Sequence, residues 1–292
     1  MNIVKKTTGY AKSYDGTPIF YEVRGEGRPI VLCYGIGCLM NHWHYQVKFL
    51  SQHYKVIMLD YRGHHQSPIP QEHEHLTIDA CVNDIVAVVE HLKLEKPSFI
   101  GHSWGTQLLM RTYDLHPEIF GNFITINGFS SNPIAGMFGT NLPTAAFELL
   151  KKGYEQLPET SSYLWKKVVY NPLAIWFTQV AGGFNPQLTA IKDVEVYLKG
   201  VASINIEVFI KLFDAMTNYD GRAVADRIAV PTLIIAGEKD FVTPLKYQEA
   251  LHKRIKGSEY TKVPFGSHCS MLDMPEFVNI RIEKFLKDIN YT

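Results

Sequence analysis

Ile100-Gly101-His102-Ser103-Trp104-Gly105-Thr106 is the stretch from which the fold can be read. Ser98-Phe99-Ile100 before it is a short apolar run, as in a strand buried on both faces. Leu108, Leu109, Met110 and Tyr113 after it continue as a helix. A strand reversing sharply into a helix forces the central residue, Ser103, into strained backbone geometry with its side chain at the apex. The glycines two before and two after let strand and helix pass closely. The helix N-terminus offers its positive end and a free N–H, from Trp104, to developing negative charge.

Outward from this turn the same alternation continues. Pro29–Cys33, Val56–Leu59 and Phe123–Ile126 are further buried-strand runs. Pro18–Val23, bracketed by Asp15-Gly16 and Gly25-Glu26-Gly27, reads as a hairpin strand. Ile78 to Leu92 carries apolar residues at helical spacing. Buried strands alternating with helices predict a mostly parallel sheet with helices on both faces. From Ser131 to Asn218 the strand runs stop. Helices are predicted over Thr144–Gln156, Ser161–Val180 (broken or kinked at Pro172), Leu188–Lys199 and Ile206–Met216. The strand–helix pattern returns with Pro231–Ala236, Leu245–Arg254, Tyr260–Val263 and Pro275–Asp288. The expected organisation is a core of residues 1–130 and 219–292, with 131–218 a helical cap inserted after the sixth strand.

A serine needs a base, and the base an orienting acid. Asp240 follows the strand ending at Ala236, and His268 follows the last strand, so both reach the sheet edge where Ser103 stands. Glu238 is the rival acid, nearer the strand. Two N–H donors are needed for an acyl oxyanion. Trp104 supplies one, and Ile36, in the glycine-rich loop Tyr34-Gly35-Ile36-Gly37, is assigned the other.

These residues resemble the α/β-hydrolase superfamily, in its cap-bearing branch of serine hydrolases. The chain order Ser103, Asp240, His268 is the order expected there. Asp60-Tyr61-Arg62-Gly63-His64-His65-Gln66-Ser67 is similar to the branch's D-x-R-G-x-G-x-S turn, with His65 where a glycine is usual. Ile228 to Gly237 with Asp240, and His268 with Met274-Pro275-Glu276-Phe277, resemble its closing motifs. Dehalogenase and epoxide-hydrolase relatives use an aspartate nucleophile, so Ser103 argues against those reactions. His-Ser-Trp-Gly also resembles the proline iminopeptidase elbow, but that family's H-G-G-P-G loop is absent. The resemblance implies an esterase-like enzyme cleaving a small to medium, largely apolar ester, thioester or lactone. Its alternatives are a peptidase or C–C hydrolase on the same triad, or a slow-turnover ligand receptor.

Composition bounds the rest. Lys plus Arg and Asp plus Glu are 29 each, so nothing draws the whole chain to nucleic acid or an anionic membrane. No apolar run approaches the ~18 residues of a membrane span. Met1–Lys6 does not read as a secretory signal. Cys33, Cys38, Cys81 and Cys269 show no CxxC spacing and read as reduced thiols, consistent with a cytoplasmic protein. Neither His64-His65 nor His73-Glu74-His75 has metal-ligand spacing, so no metal and no cofactor are expected. The expected partner is a small-molecule substrate, bound by a monomer or homodimer. Among the many aromatic residues of the helical segment, Trp176 is taken as the candidate for contact with substrate.

Overall fold

The computed structural model describes residues 5–135, 137 and 140–292. Met1 to Val4 and three positions of the expected cap (136, 138 and 139) lie outside the described residues. Eight strands form one sheet: β1 (Lys6–Lys12), β2 (Pro18–Arg24), β3 (Pro29–Cys33), β4 (Lys55–Leu59), β5 (Ser98–His102), β6 (Asn122–Ile126), β7 (Thr232–Gly237) and β8 (Glu259–Val263). Their order is β1-β2-β4-β3-β5-β6-β7-β8. The β1–β2 and β2–β4 pairs are antiparallel, and all others are parallel. Strand β1 is mostly exposed and carries lysine at both ends. It lacks the apolar run that marks the inner strands, and only its partner β2 was legible. Every residue of β5, β6 and β7 is buried, because parallel strands are covered on both faces.

The sheet-flanking helices fall into two groups. In one, α1 (His44–Leu50) packs with α11 (Ser270–Asp273) and α12 (Pro275–Asp288). In the other, α2 (Ile78–His91) packs on α3 (Trp104–Leu115). Helix α3 also meets α9 (Arg222–Ala225), which adjoins α10 (Lys246–Arg254).

Between β6 and β7 run α4 (Leu142–Gln156), α5 (Pro158–Val169), α6 (Pro172–Val180), α7 (Ile191–Ser203) and α8 (Ile206–Asn218). The expected helix 161–180 is two helices. Asn171 caps the second, its side chain accepting from the N–H groups of Leu173 and Ala174, and Pro172 takes the first helical position, where no N–H is needed. The expected helix at 188 starts at Ile191, because Leu188 and Thr189 N–H are taken by Asn185 O in a preceding turn. Phe147, Trp165, Ile206 and Ile210 belong to a small apolar cluster apart from the main core. The strands flanking this segment are neighbours all the same, with Phe123 opposite Thr232 and Ile126 opposite Ile235. Among the described residues no helix is long and apolar enough to cross a membrane.

One buried cation fastens the turn after β4. Arg62, with no exposed surface, donates to both Asp84 oxygens at 2.7 and 2.6 Å, to Asp15 Oδ2 at 2.8 Å and to His75 O at 3.1 Å. It thereby joins this turn to α2 and to the β1–β2 hairpin. Arg62→Met would leave Asp84 buried without its cation. The expected cost is about 3–5 kcal/mol, read as a lowered urea midpoint with unchanged slope. A loss under about 1 kcal/mol would mean the ion pair is not what holds this turn.

Candidate active site

Ser103 sits between β5 and α3 with φ 53° and ψ −122°, the strained conformation predicted for the apex. Its glycine neighbours make the crossing possible. A Cβ on Gly101 would lie 2.8 Å from Thr106 N, and one on Gly105 would run into the Cys33 and Tyr34 carbonyls of the adjacent strand end. Asp240 follows β7 and His268 follows β8, and since these strands are parallel to β5 all three side chains meet at one sheet edge.

The three are hydrogen-bonded in series. Ser103 Oγ lies 2.9 Å from His268 Nε2, and His268 Nδ1 lies 2.9 Å from Asp240 Oδ2. A carboxylate accepts, so Nδ1 carries the proton and Nε2 is left to accept from the serine hydroxyl. Asp240 is 3% exposed. Its Oδ1 accepts from Val242 and Thr243 N–H at 2.9 and 2.7 Å, and its Oδ2 from Thr243 Oγ and Asn127 Nδ2 at 2.7 and 2.8 Å. Glu238, the rival acid, is exposed and accepts from Phe265 N–H instead.

Three further residues hold this arrangement and were not singled out in the sequence. Asn127 follows β6 with φ 50°, a conformation asparagine tolerates. Its amide donates to Asp240 and Ser267 O and accepts from Ser270. The one available signal was a polar Asn-Gly directly after an apolar strand. Thr243 Oγ, whose one proton goes to Asp240, also lies 3.1 Å from Asn127 O and 3.2 Å from His268 Nδ1. His102 Nε2–H donates to His268 O at 2.9 Å, tying the residue before Ser103 to the loop of the base. Burial drives the His102 pKa well below the ordinary histidine value, so the ring is neutral.

The two residues assigned as backbone donors flank the serine in different ways. Gly35 to Cys38 form a turn closed by Cys38 N–H to Gly35 O at 3.1 Å, with Gly37 at φ 73°. A Cβ on Gly35 would lie 3.0 Å from Ser103 Cβ, so the turn abuts the nucleophile. Among the described residues neither Ile36 N–H nor Trp104 N–H has an acceptor. For Trp104 the cause is its place in the first turn of α3.

Above Ser103 and His268 lies a cavity of about 240 Å³, walled by Phe129, Phe177, Phe184, Tyr197, Phe209 and Phe213 among others. Among the described residues no Asp, Glu, Lys or Arg lines it. Trp176 is not in this wall. Phe177 beside it reaches the cavity, although the two are almost equally exposed, at 57% for Trp176 and 55% for Phe177. Adjacent residues point about 100° apart around a helix, and the sequence alone did not tell which of the two turned inward. Trp165 is buried, its ring 4.8 Å from Phe209 and its Nε1–H on Ile204 O. All four cysteines are buried thiols, and burial pushes Cys33 up to about 12. Among the described residues no three His, Cys, Asp or Glu side chains are grouped to hold a metal ion.

A family model described as alpha/beta hydrolase fold matches residues 28–163. Epoxide hydrolase 4 of Mus musculus is 26% identical over 284 residues, which covers 94% of this chain and 77% of that protein. The 3-oxoadipate enol-lactonase 2 of Acinetobacter baylyi is 27% identical over 267 residues, 89% of each chain. Among solved structures, an esterase from Exiguobacterium antarcticum superposes with a TM-score of 0.71 at 23% identity, over 96% of this chain and 99% of that one. The eight-stranded, mostly parallel sheet with its flanking helices is thus the α/β-hydrolase fold.

The geometry separates the two candidate acids. Asp240→Asn is expected to slow phosphonylation of Ser103 by a fluorophosphonate roughly 10²–10⁴-fold, as loss of an orienting acid does. Glu238→Gln is expected to leave the rate within about two-fold. Mass spectrometry of the labelled peptide over time measures both, and reversed results would transfer the role to Glu238.

Proposed function

We propose that this chain, which has the α/β-hydrolase fold, is a carboxylesterase-like serine hydrolase of that superfamily. Its substrate is a small to medium, uncharged and largely apolar ester, thioester or lactone. The observation that carries this reading is the unbroken series Ser103–His268–Asp240, at 2.9 Å per step, beneath a cavity without charged walls. An ionic substrate would have to shed water there with no counter-charge to meet it.

His268 Nε2 takes the Ser103 proton as Oγ attacks the carbonyl carbon. Charge on the carbonyl oxygen falls to the N–H groups of Ile36 and Trp104. The imidazolium, stabilised by Asp240, returns the proton to the departing alcohol or thiol, leaving Ser103 acylated. A water molecule then gives its proton to His268, attacks the acyl carbon, and frees Ser103. No cofactor enters these steps. The segment 131–218 acts as the cap that selects substrate, and the enzyme works in the cytoplasm as a monomer or homodimer.

The enol-lactonase relative supports the ester reading, because a lactone is a cyclic ester. The epoxide hydrolase relative raises the alternative of ring opening. With Ser103 as nucleophile that reaction would leave a serine alkyl ether, which has no carbonyl for water to attack.

A fluorophosphonate is expected to label Ser103 alone, and labelling that persists in Ser103→Ala would overturn the nucleophile assignment. With p-nitrophenyl esters of increasing chain length, kcat/KM is expected to rise roughly four-fold per CH₂, from about 0.8 kcal/mol each. It then falls once the cavity is full. Phe209→Ala, which enlarges the wall, is expected to move the optimum to longer chains. A flat profile unchanged by that substitution would refute the role given to the cavity.

A further inference from the structure

We infer that His65 is a positioning residue for the oxyanion turn, latching it to the turn after β4; this rests on the acyl-transfer reading above. His65 lies in the turn after β4 with φ 46°, in the left-handed region where glycine is the unstrained choice. Within that turn Ser67 N–H bonds to His64 O and Gln66 N–H to Asp60 Oδ2. Neither bond uses the His65 side chain, so glycine would serve the turn itself at least as well.

The imidazole is engaged elsewhere. Its Nε2 lies 2.8 Å from Cys38 O, and since a carbonyl can only accept, Nε2–H donates. Cys38 is the residue that closes the turn from which Ile36 N–H projects. The other end of that turn is held by Tyr61 OH, which donates to Tyr34 O at 3.0 Å. The turn that carries Ile36 N–H is therefore held at both ends, by Tyr61 and His65.

The remaining ring nitrogen, Nδ1, lies 3.4 Å from Ser203 Oγ on α7, whose proton goes to Gly200 O at 2.7 Å, so the ring packs beside α7 without bonding to it. Helix α7 meets the turn again nearby, where a Cβ on Gly37 would lie 3.2 Å from a Val201 methyl. One side chain thus bonds the oxyanion turn and packs beside a helix that contributes Tyr197 and Val201 to the cavity wall. A strained residue whose side chain reaches away from its own turn is a candidate for function at the place it reaches.

The test compares His65→Gly with His65→Gln, using p-nitrophenyl esters for kcat and KM and thermal unfolding for Tm. Glycine removes the latch while relaxing the backbone. Its kcat is expected to fall about three- to ten-fold, the range of one neutral hydrogen bond, with KM within about two-fold and Tm equal to or above the parent's. Glutamine carries an amide N–H at similar reach and is expected to recover most of the lost kcat. An unchanged kcat in His65→Gly would overturn the inference. So would a kcat that falls together with Tm and is not recovered by glutamine, the mark of a merely structural role. Absence of ester hydrolysis by the parent enzyme would instead overturn the acyl-transfer reading, and this inference with it.

Discussion

A serine held at positive φ is the constraint on which the rest of the site depends. The strain of that conformation is tolerated because β5 and α3 fix the residues on either side, and they can do so only through the close crossing that Gly101 and Gly105 permit. The same turn aims the first N–H groups of α3 at the space above the serine. The placement of Ser103 and of the Trp104 N–H is therefore the product of one backbone reversal. His268 and Asp240 need only be delivered to the same edge, which parallel β7 and β8 accomplish.

Delivery is not yet alignment. Asp240 could accept from His268 in more than one pose if its other lone pairs were free. They are occupied by Val242, Thr243 and Asn127, and the last of these also holds Ser267 O beside the base. His102 adds a fixed bond to the His268 carbonyl. Apart from His102 Nδ1, which has no partner among the described residues, these supporting polar groups are buried and hydrogen-bonded, so each has few alternative poses.

Residues whose role is set by chain position were legible in the sequence. Ser103, Asp240 and His268 each follow a strand made conspicuous by its apolar run, and parallel strands end on a shared edge. The positions of Ile36 and Trp104 likewise follow apolar strands, β3 and β5. Asn127, Thr243 and His102 act through side-chain contacts between segments over 100 residues apart. Nothing local marks such contacts beyond a polar residue in an apolar setting. Strand β1 escaped because an edge strand with exposed lysines carries no burial pattern. Trp176 was misjudged because an aromatic-rich helix such as α6 offers several candidates with no polar face to orient it. The structure buries none of its nine residues and turns Phe177, not Trp176, to the cavity.

The helices between β6 and β7 have a consequence for how readily this protein can change. The two strands pair along Phe123–Thr232 to Ile126–Ile235 although the chain leaves the sheet for over 100 residues between them. Closing a flexible excursion costs entropy that grows only with the logarithm of its length, about 0.6 kcal/mol for each doubling. The sheet is thus nearly indifferent to how long that excursion is, and part of the excursion satisfies its apolar residues in a cluster of its own. Lineages descended from this chain can lengthen, shorten or replace these helices while the strand ends that carry Ser103, Asp240 and His268 stay where they are. Variation in diet can outpace variation in chemistry.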